Sequence, residues 1–425
     1  MHFFTFEDVP PSQPAAVDGD LVNQTVPTTT SSCRGLARRS NNNYVQVFGG
    51  MGTGPNDRDA AVKGTVYLTY TIVNNATYNV DDCLNYCDSV EGCVFANLYY
   101  EFENPLLDLV FSEGSNLKCT VYADTHCATE KTNFGGQQLY PAPAPLNYIQ
   151  QSSGWAAKSL VEPDTPQGYD KVFGPTNRAN NAPGYMGFAF LNKYDMDACA
   201  SLCDTHGADP VGGACQYFNI WRALVNGIPT TYTCAMYFIP ADESTAINNG
   251  QGDLVITKSR GYVRQNAIVD GGFEGYMCDL GVDFCFTSSY TNWVGTSPAG
   301  GDLDASIFNY VPYAHNGYSV GLLGTADGTD TLLGTLAPAS PIATEAGVSY
   351  TLQFFISTSF SGQDEAGANL AIIWNGNTVD TITPGYQSQW VLHQYTVVAQ
   401  GNNVLQFIGS PAPGWVFIDN VALLA

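Results

Sequence analysis

The sequence predicts a mainly β protein: two small α+β modules stapled by disulfides, then a C-terminal antiparallel β-sandwich. Three observations lead there. A repeat carries cysteines at matched positions, and short alternating apolar runs crowd the C-terminal third. Charged residues form only 13% of a chain that is 44% hydrophobic and 12% aromatic. Such a chain buries real cores and is not disordered. Its 425 residues exceed one ordinary core, so two to four domains are expected.

The totals also exclude partners. A net charge of −24 repels nucleic acid and anionic membranes and leaves neutral or basic partners, with neutral glycans a good fit. No apolar run reaches the roughly 18 residues of a membrane span. Twelve cysteines occur without a CxxC pair, which argues for disulfides in an oxidising compartment over zinc or redox sites. Asn23 and Asn75 head N-glycosylation triplets. The opening MHFFTFEDVPPSQ lacks the pattern of a signal peptide, so a removed leader or an incomplete start is expected.

Residues 1–43, rich in Pro, Thr, Ser and Asn, read as a flexible arm. Arg38-Arg39 within it is either a dibasic cleavage site or a mildly basic loop. Two copies of one domain follow, at 44–158 and 159–266. Tyr44–Gly49 matches Tyr169–Gly174, and NVDDCLNYC (79–87) matches DMDACASLC (195–203). CTVY (119–122) matches CAMY (234–237), and IQQSSGW (149–155) matches ITKSRGY (256–262). Four blocks in one order are not chance. The second block of each copy reads as a short helix with Asn79 or Asp195 as N-cap and Asp82 in the first turn. Cysteines four apart, Cys83/Cys87 and Cys199/Cys203, share one helical face. TVYLTY and LVITKSR have strand composition, and YPAPAPLNY (140–148) reads as a proline-rich loop inside the first copy.

A helical C-x3-C, a third cysteine soon after and a fourth beyond an aromatic strand resemble the PAN/Apple domain. The resemblance implies the pairs Cys83–Cys119, Cys87–Cys93, Cys199–Cys234 and Cys203–Cys215, with Cys33–Cys127 tying the ends of the first copy. It also implies protein or carbohydrate binding without saying which.

From Asn266 the character changes. The runs at 349–357, 369–376, 390–399, 403–409 and 415–424 alternate, with turn signals such as Asn375-Gly376 between them, and predict an antiparallel sandwich over 267–425. VDGGFE, then Trp293, HNGYSVGL, IIWNG, a Trp390 strand and FIDNVAL resemble, in that order, the galactose-binding-like jelly roll of CenC-type carbohydrate-binding modules. Cys278 and Cys285 depart from that pattern and are expected to close a local loop. The resemblance implies a structural calcium at Glu274 and Asp419; the alternative is that both acids bond loop amides. It requires no other cofactor.

Sugar recognition needs aromatic faces flanked by polar groups in a concave site. The candidates are Trp293, Tyr310, Tyr313, His315 and Gln353, with Trp293 equally suited to the core and Trp374 and Trp390 read as packing. Gly317–Gly321 spells the G-x-S-x-G of a hydrolase elbow, but no helix follows it, so no catalytic residue is expected. The expectation is a secreted, non-enzymatic glycan-binding or cell-wall protein of modest single-site affinity. Two alternatives stand beside it: a self-assembling extracellular coat or fibre protein using its modules for protein contacts, and a serine esterase at Ser319.

Overall fold

The computed structural model describes residues 43–425 apart from 53–56, 65, 105–114, 137–145, 327–331, 360–366 and 412–413. The expectations for Asn23, Cys33, Arg38-Arg39, the N-terminal arm and most of the proline-rich loop lie outside the described residues. Within them, no helix is long and apolar enough to cross a membrane.

The repeat seen in the sequence is a repeat of topology. The first sheet runs, edge to edge, Tyr44–Phe48, Tyr148–Ala157, Phe95–Phe102, Ser115–Tyr122, Tyr67–Val73. In the second, Tyr169–Thr176 pairs with Leu254–Arg264, followed by Tyr217–Val225, Ile228–Tyr237 and Tyr185–Leu191. The order is the same. One helix packs on each sheet. Val80–Ser89 starts where the Asn79 side chain accepts the Asp82 amide at 3.1 Å, and Met196–Thr205 where Asp195 accepts the Ala198 amide at 3.0 Å. These caps satisfy amides that have no partner within the helix. The buried stripes are Cys83, Leu84 and Cys87, and Met196, Cys199, Ala200 and Cys203.

The bridges Cys83–Cys119, Cys87–Cys93, Cys199–Cys234, Cys203–Cys215 and Cys278–Cys285 all form. A buried asparagine repeats as well. Asn97 accepts the Val62 amide and donates to Ser152 Oγ and Ser153 O; Asn219 accepts the Asn180 amide and donates to Ser259 Oγ and Arg260 O. In each copy one side chain thereby ties a covering loop to the bulged strand. Asn75 is half-buried, and its amide nitrogen donates to Ser115 O at 3.0 Å.

The C-terminal unit is a β-sandwich. One sheet runs Cys285–Thr287, Ala305–Asn309, Ser319–Leu323, Val416–Leu424, Ser349–Ser357, Val391–Val398. The other runs Trp293–Thr296, Thr335–Pro338, Leu405–Ile408, Leu370–Trp374, Asn377–Ile382. Phe273, Trp293, Leu352, Phe354, Ile372, Phe407 and Ile418 fill the space between them. Trp293 is 0% exposed, with its ring 4.8 Å from Phe273 and Nε1 donating to Asp270 O. It belongs to the core, and the sugar-platform reading of Trp293 is overturned. Trp374 packs in the same core.

The three units touch through buried polar contacts. Arg222 in the second repeat pairs with Asp124 in the first. Arg260 Nη2 donates to Leu160 O and Val161 O in the connecting segment. The Ala214 amide donates to Gln353 Oε1, and Arg264 Nε donates to Ala425 O, joining the second repeat to the sandwich. Gln353 is 1% exposed. It is an interface residue, and its reading as a sugar contact is corrected on that ground.

Candidate functional site

Strand periodicity sends alternate residues of the first sandwich sheet away from the core. On Val416–Leu424, Val416 and Ile418 point inward, while Phe417 joins an outer cluster with Phe308, Val320 and Leu322. Register puts Phe286 opposite Phe308, Leu322 opposite Phe417, and Phe417 opposite Ser357. The outer face is therefore apolar as well.

Rings line it in sequence. Phe286 stacks on Phe308 at 4.3 Å, Phe308 on Tyr310 at 5.5 Å, and Tyr313 on Phe417 at 5.1 Å; Tyr310 and Tyr313 lie 5.5 Å apart. His315 stacks on Phe355 at 4.1 Å, with Trp390 at 5.3 Å. Tyr310, Tyr313, Trp390 and Trp415 are only half-buried. Tyr310, Tyr313 and His315, chosen from the sequence, thus come together, while Trp293 and Gln353 go elsewhere. Trp390, read as core packing, turns out to lie on this outer face. Trp415, Phe286, Phe308 and Phe417 were missed. For Phe308, Trp415 and Phe417 the signal was present in SIFNY and WVFID, where both faces of a strand are apolar.

Polar groups converge at one end. Asp304 Oδ1 accepts from Thr325 Oγ1 at 2.8 Å, and Trp415 Nε1 donates to Thr325 O at 2.8 Å. Asp304 Oδ2 and Ser306 Oγ are buried without a hydrogen-bond partner among the described residues. Unmatched buried polar atoms are costly.

Loop 315–319 is pinned by two acids. Glu274 Oε1 accepts the Tyr318 and Ser319 amides at 2.8 and 3.1 Å. Asp419 Oδ2 accepts those of His315 and Asn316 at 2.8 and 3.3 Å, and Oδ1 that of Asn420. A Cβ on Gly272 would meet Asp419 Oδ1 at 3.7 Å and Glu274 Cγ at 3.8 Å, so both acids border one small space. Burial pushes the Asp419 carboxyl up to about 8; the amides of Asn420, Asn316 and His315 oppose that, and the charge of Glu274 adds to it. Two carboxyl groups that border one space match the donor chemistry of a hard divalent ion. In number they fall short of a full cage: no three His, Cys, Asp or Glu among the described residues come together to hold a metal. Backbone carbonyls or water would have to supply the remaining ligands.

Ser319 is 0% exposed; its Oγ donates to Tyr276 O at 2.9 Å and accepts from Asn309 Nδ2 at 2.8 Å. His393 sits three strand spacings away, about 14 Å. The serine of the G-x-S-x-G spelling opens a sheet strand, and among the described residues its hydroxyl bonds only Tyr276 O and Asn309 Nδ2.

No family model matches the chain, and no curated protein matches it. Solved structures similar to it include carbohydrate-binding modules. TmCBM61, in complex with β-1,4-galactotriose, is 14% identical over 38% of this chain and 98% of that one, with a TM-score of 0.27. The C-terminal family 22 module of Clostridium thermocellum Xyn10B is 14% identical over 32% and 88%, with a TM-score of 0.23. The module CBM6cm-2 of Cellvibrio mixtus lichenase 5A, in complex with cellotriose, is 16% identical over 32% and 87%, with a TM-score of 0.19.

Proposed function

We propose that this chain is a secreted, non-enzymatic glycan-binding protein that holds a neutral saccharide on the outer aromatic face of its sandwich. The observation that carries the reading is the row of rings that crosses the outer face of the sheet from Phe286 to Trp390. Rings stack on the apolar faces of pyranoses. The net charge of −24 disfavours polyanionic ligands and leaves neutral ones. The five disulfides among the described residues support an oxidising compartment.

In this reading the repeats are PAN/Apple-like scaffolds for the sandwich. Glu274 and Asp419 hold a structural calcium, which would neutralise the pair and fix loop 315–319 beside Tyr313; it takes no part in sugar chemistry. The test is affinity electrophoresis of the full chain against soluble galactan, xylan and β-glucan, followed by calorimetry on the retained polymer. Migration unaffected by every neutral polymer would sink the proposal.

A second reading, self-assembly, has one observation in its favour. Tyr185, Phe188 and Phe190 are 53–56% exposed on an edge strand of the second repeat. Exposed apolar edges invite pairing with another chain. Sedimentation velocity over a wide concentration range separates the two: a constant monomer removes self-assembly, and polymers indifferent to added sugar support it.

A further inference from the structure

The loop between Cys278 and Cys285 is used by nothing described so far, and its composition is unusual. Met277, Leu280, Val282 and Phe284 are 55%, 105%, 51% and 54% exposed, clustered around a bridge that spans only seven positions. A loop this small has no core of its own, and contiguous exposed apolar surface on a folded protein marks a contact site. The surface it continues is identifiable. The Phe284 ring lies 6.0 Å from Tyr310, 6.1 Å from Phe286 and 6.3 Å from Phe308, at the first edge of the aromatic face. Both ends of the loop are fastened there: Cys285 pairs with Asn309 across the edge strand, and the Tyr276 hydroxyl donates to Phe286 O at 3.0 Å.

We infer that this disulfide-closed loop forms an outer subsite, in which Phe284 stacks a distal unit of a neutral saccharide chain whose inner units lie over Tyr310 and Tyr313. The inference rests on the glycan reading above and deepens it. The face crosses six strands, and five spacings of about 4.8 Å span ~24 Å. That length suits a chain of several sugar units, with Phe284 and Trp390 toward opposite edges. A free loop would lose entropy on ordering around a ligand, whereas a bridged one is ordered beforehand. The bridge therefore positions Phe284. Its sulfurs are half-buried, unlike the fully buried Cys83–Cys119 and Cys199–Cys234 pairs, so it can be altered without opening a core.

The experiment is titration calorimetry of the full chain with β-1,4-linked glucose and galactose oligosaccharides of two and six units. The variants are Phe284→Ala, Phe284→Trp and the double variant Cys278→Ser/Cys285→Ser. Phe284→Ala weakens the hexasaccharide roughly two- to tenfold, the worth of one aromatic contact, and leaves the disaccharide unchanged. Phe284→Trp retains hexasaccharide affinity, and the serine pair behaves like Phe284→Ala in binding, with a melting temperature lowered by no more than the loss of a bridge spanning seven positions implies. Equal losses at both lengths, or no loss at six units, overturn the outer subsite while leaving the glycan reading in place. Failure of the wild type to bind any of these sugars or the polymers above overturns both.

Discussion

Lys258 offers a test of how the two repeats are joined. It sits in the strand Leu254–Arg264 with φ +56°, and its carbonyl accepts from the Tyr194 hydroxyl and from Arg260. Burial lowers its ammonium from 10.5 to about 8; Arg222 and Arg260 push the same way, and Asp124 opposes them. At about 1.4 kcal/mol per pH unit, that difference corresponds to ~3 kcal/mol. The folded state holds the proton less tightly than the unfolded state. The penalty is therefore present in full below pH 8 and fades as pH rises toward 10.5. Lys258→Met keeps an unbranched side chain and the backbone carbonyl but removes the charge. We expect the variant to be more stable by about 2–3 kcal/mol at pH 7, and the gap to shrink to roughly half by pH 9.5. In a unit of about 100 residues, 1 kcal/mol moves the midpoint by about 4–8 °C, so differential scanning calorimetry of the full chain at both pH values resolves it. A variant less stable than wild type at pH 7 would refute the reasoning, because the ammonium would then be gaining more from Asp124 than it loses to burial. A gap that does not change with pH would refute it too.

Three further outcomes are expected. Tyr313→Ala and Trp390→Ala each weaken binding of the retained neutral polysaccharide about tenfold, measured by affinity electrophoresis, with little change in melting temperature since both rings are half-exposed. Cys199→Ser/Cys234→Ser opens a loop of 35 residues and costs the second repeat about 3–4 kcal/mol, seen as faster proteolysis within 169–264 while the sandwich stays resistant. Calcium raises the wild-type melting temperature and EGTA lowers it, whereas Asp419→Asn is insensitive to both; a wild type indifferent to calcium removes the metal from Glu274 and Asp419.

Much of the architecture was legible because it rests on local rules. The helices begin at Asn79 and Asp195 because a side-chain oxygen there meets an amide with no helical partner. Ser349–Ser357 is a strand because its alternate residues fill one core. The outer aromatic face was legible only in part. Tyr310 and Tyr313 stand near the turn after a strand, where exposed aromatics attract notice. Phe308 and Phe417 lie within strands and Trp390 just before one, and alternation cannot distinguish a core face from a second apolar face. Trp293 failed for the converse reason. At the first position of a short strand it fits either side of the sheet, and only tertiary packing against Phe273 assigns it to the core. Gln353 points outward, as read, but the surface it meets belongs to the second repeat, and no pattern within one segment reveals contacts between units.

The differences between the two repeats carry the last step. Ser153 of the first copy corresponds to Arg260 of the second in the aligned blocks. The serine serves its own sheet, through Tyr78 and Trp155. The arginine instead reaches Leu160 O and Val161 O in the segment that joins the copies. Lys118, two residues after the first copy's buried Asn116, stacks over Tyr70 at 4.5 Å and pairs with Glu101. Register puts Thr233 at the matching place in the second copy, opposite Phe190, and leaves that strand's rings exposed. The shared positions preserve one fold; the changed ones make joints or open surface. Arg222–Asp124, Arg260 with the connecting carbonyls, Ala214–Gln353 and Arg264–Ala425 are all buried contacts whose disruption would strand a charge or an amide. They oppose hinge motion between units. On the proposed glycan reading, an outer face fixed in orientation relative to two stapled modules would engage an extended polymer without first ordering its own chain, which is where a rigid multidomain binder would gain over the isolated sandwich.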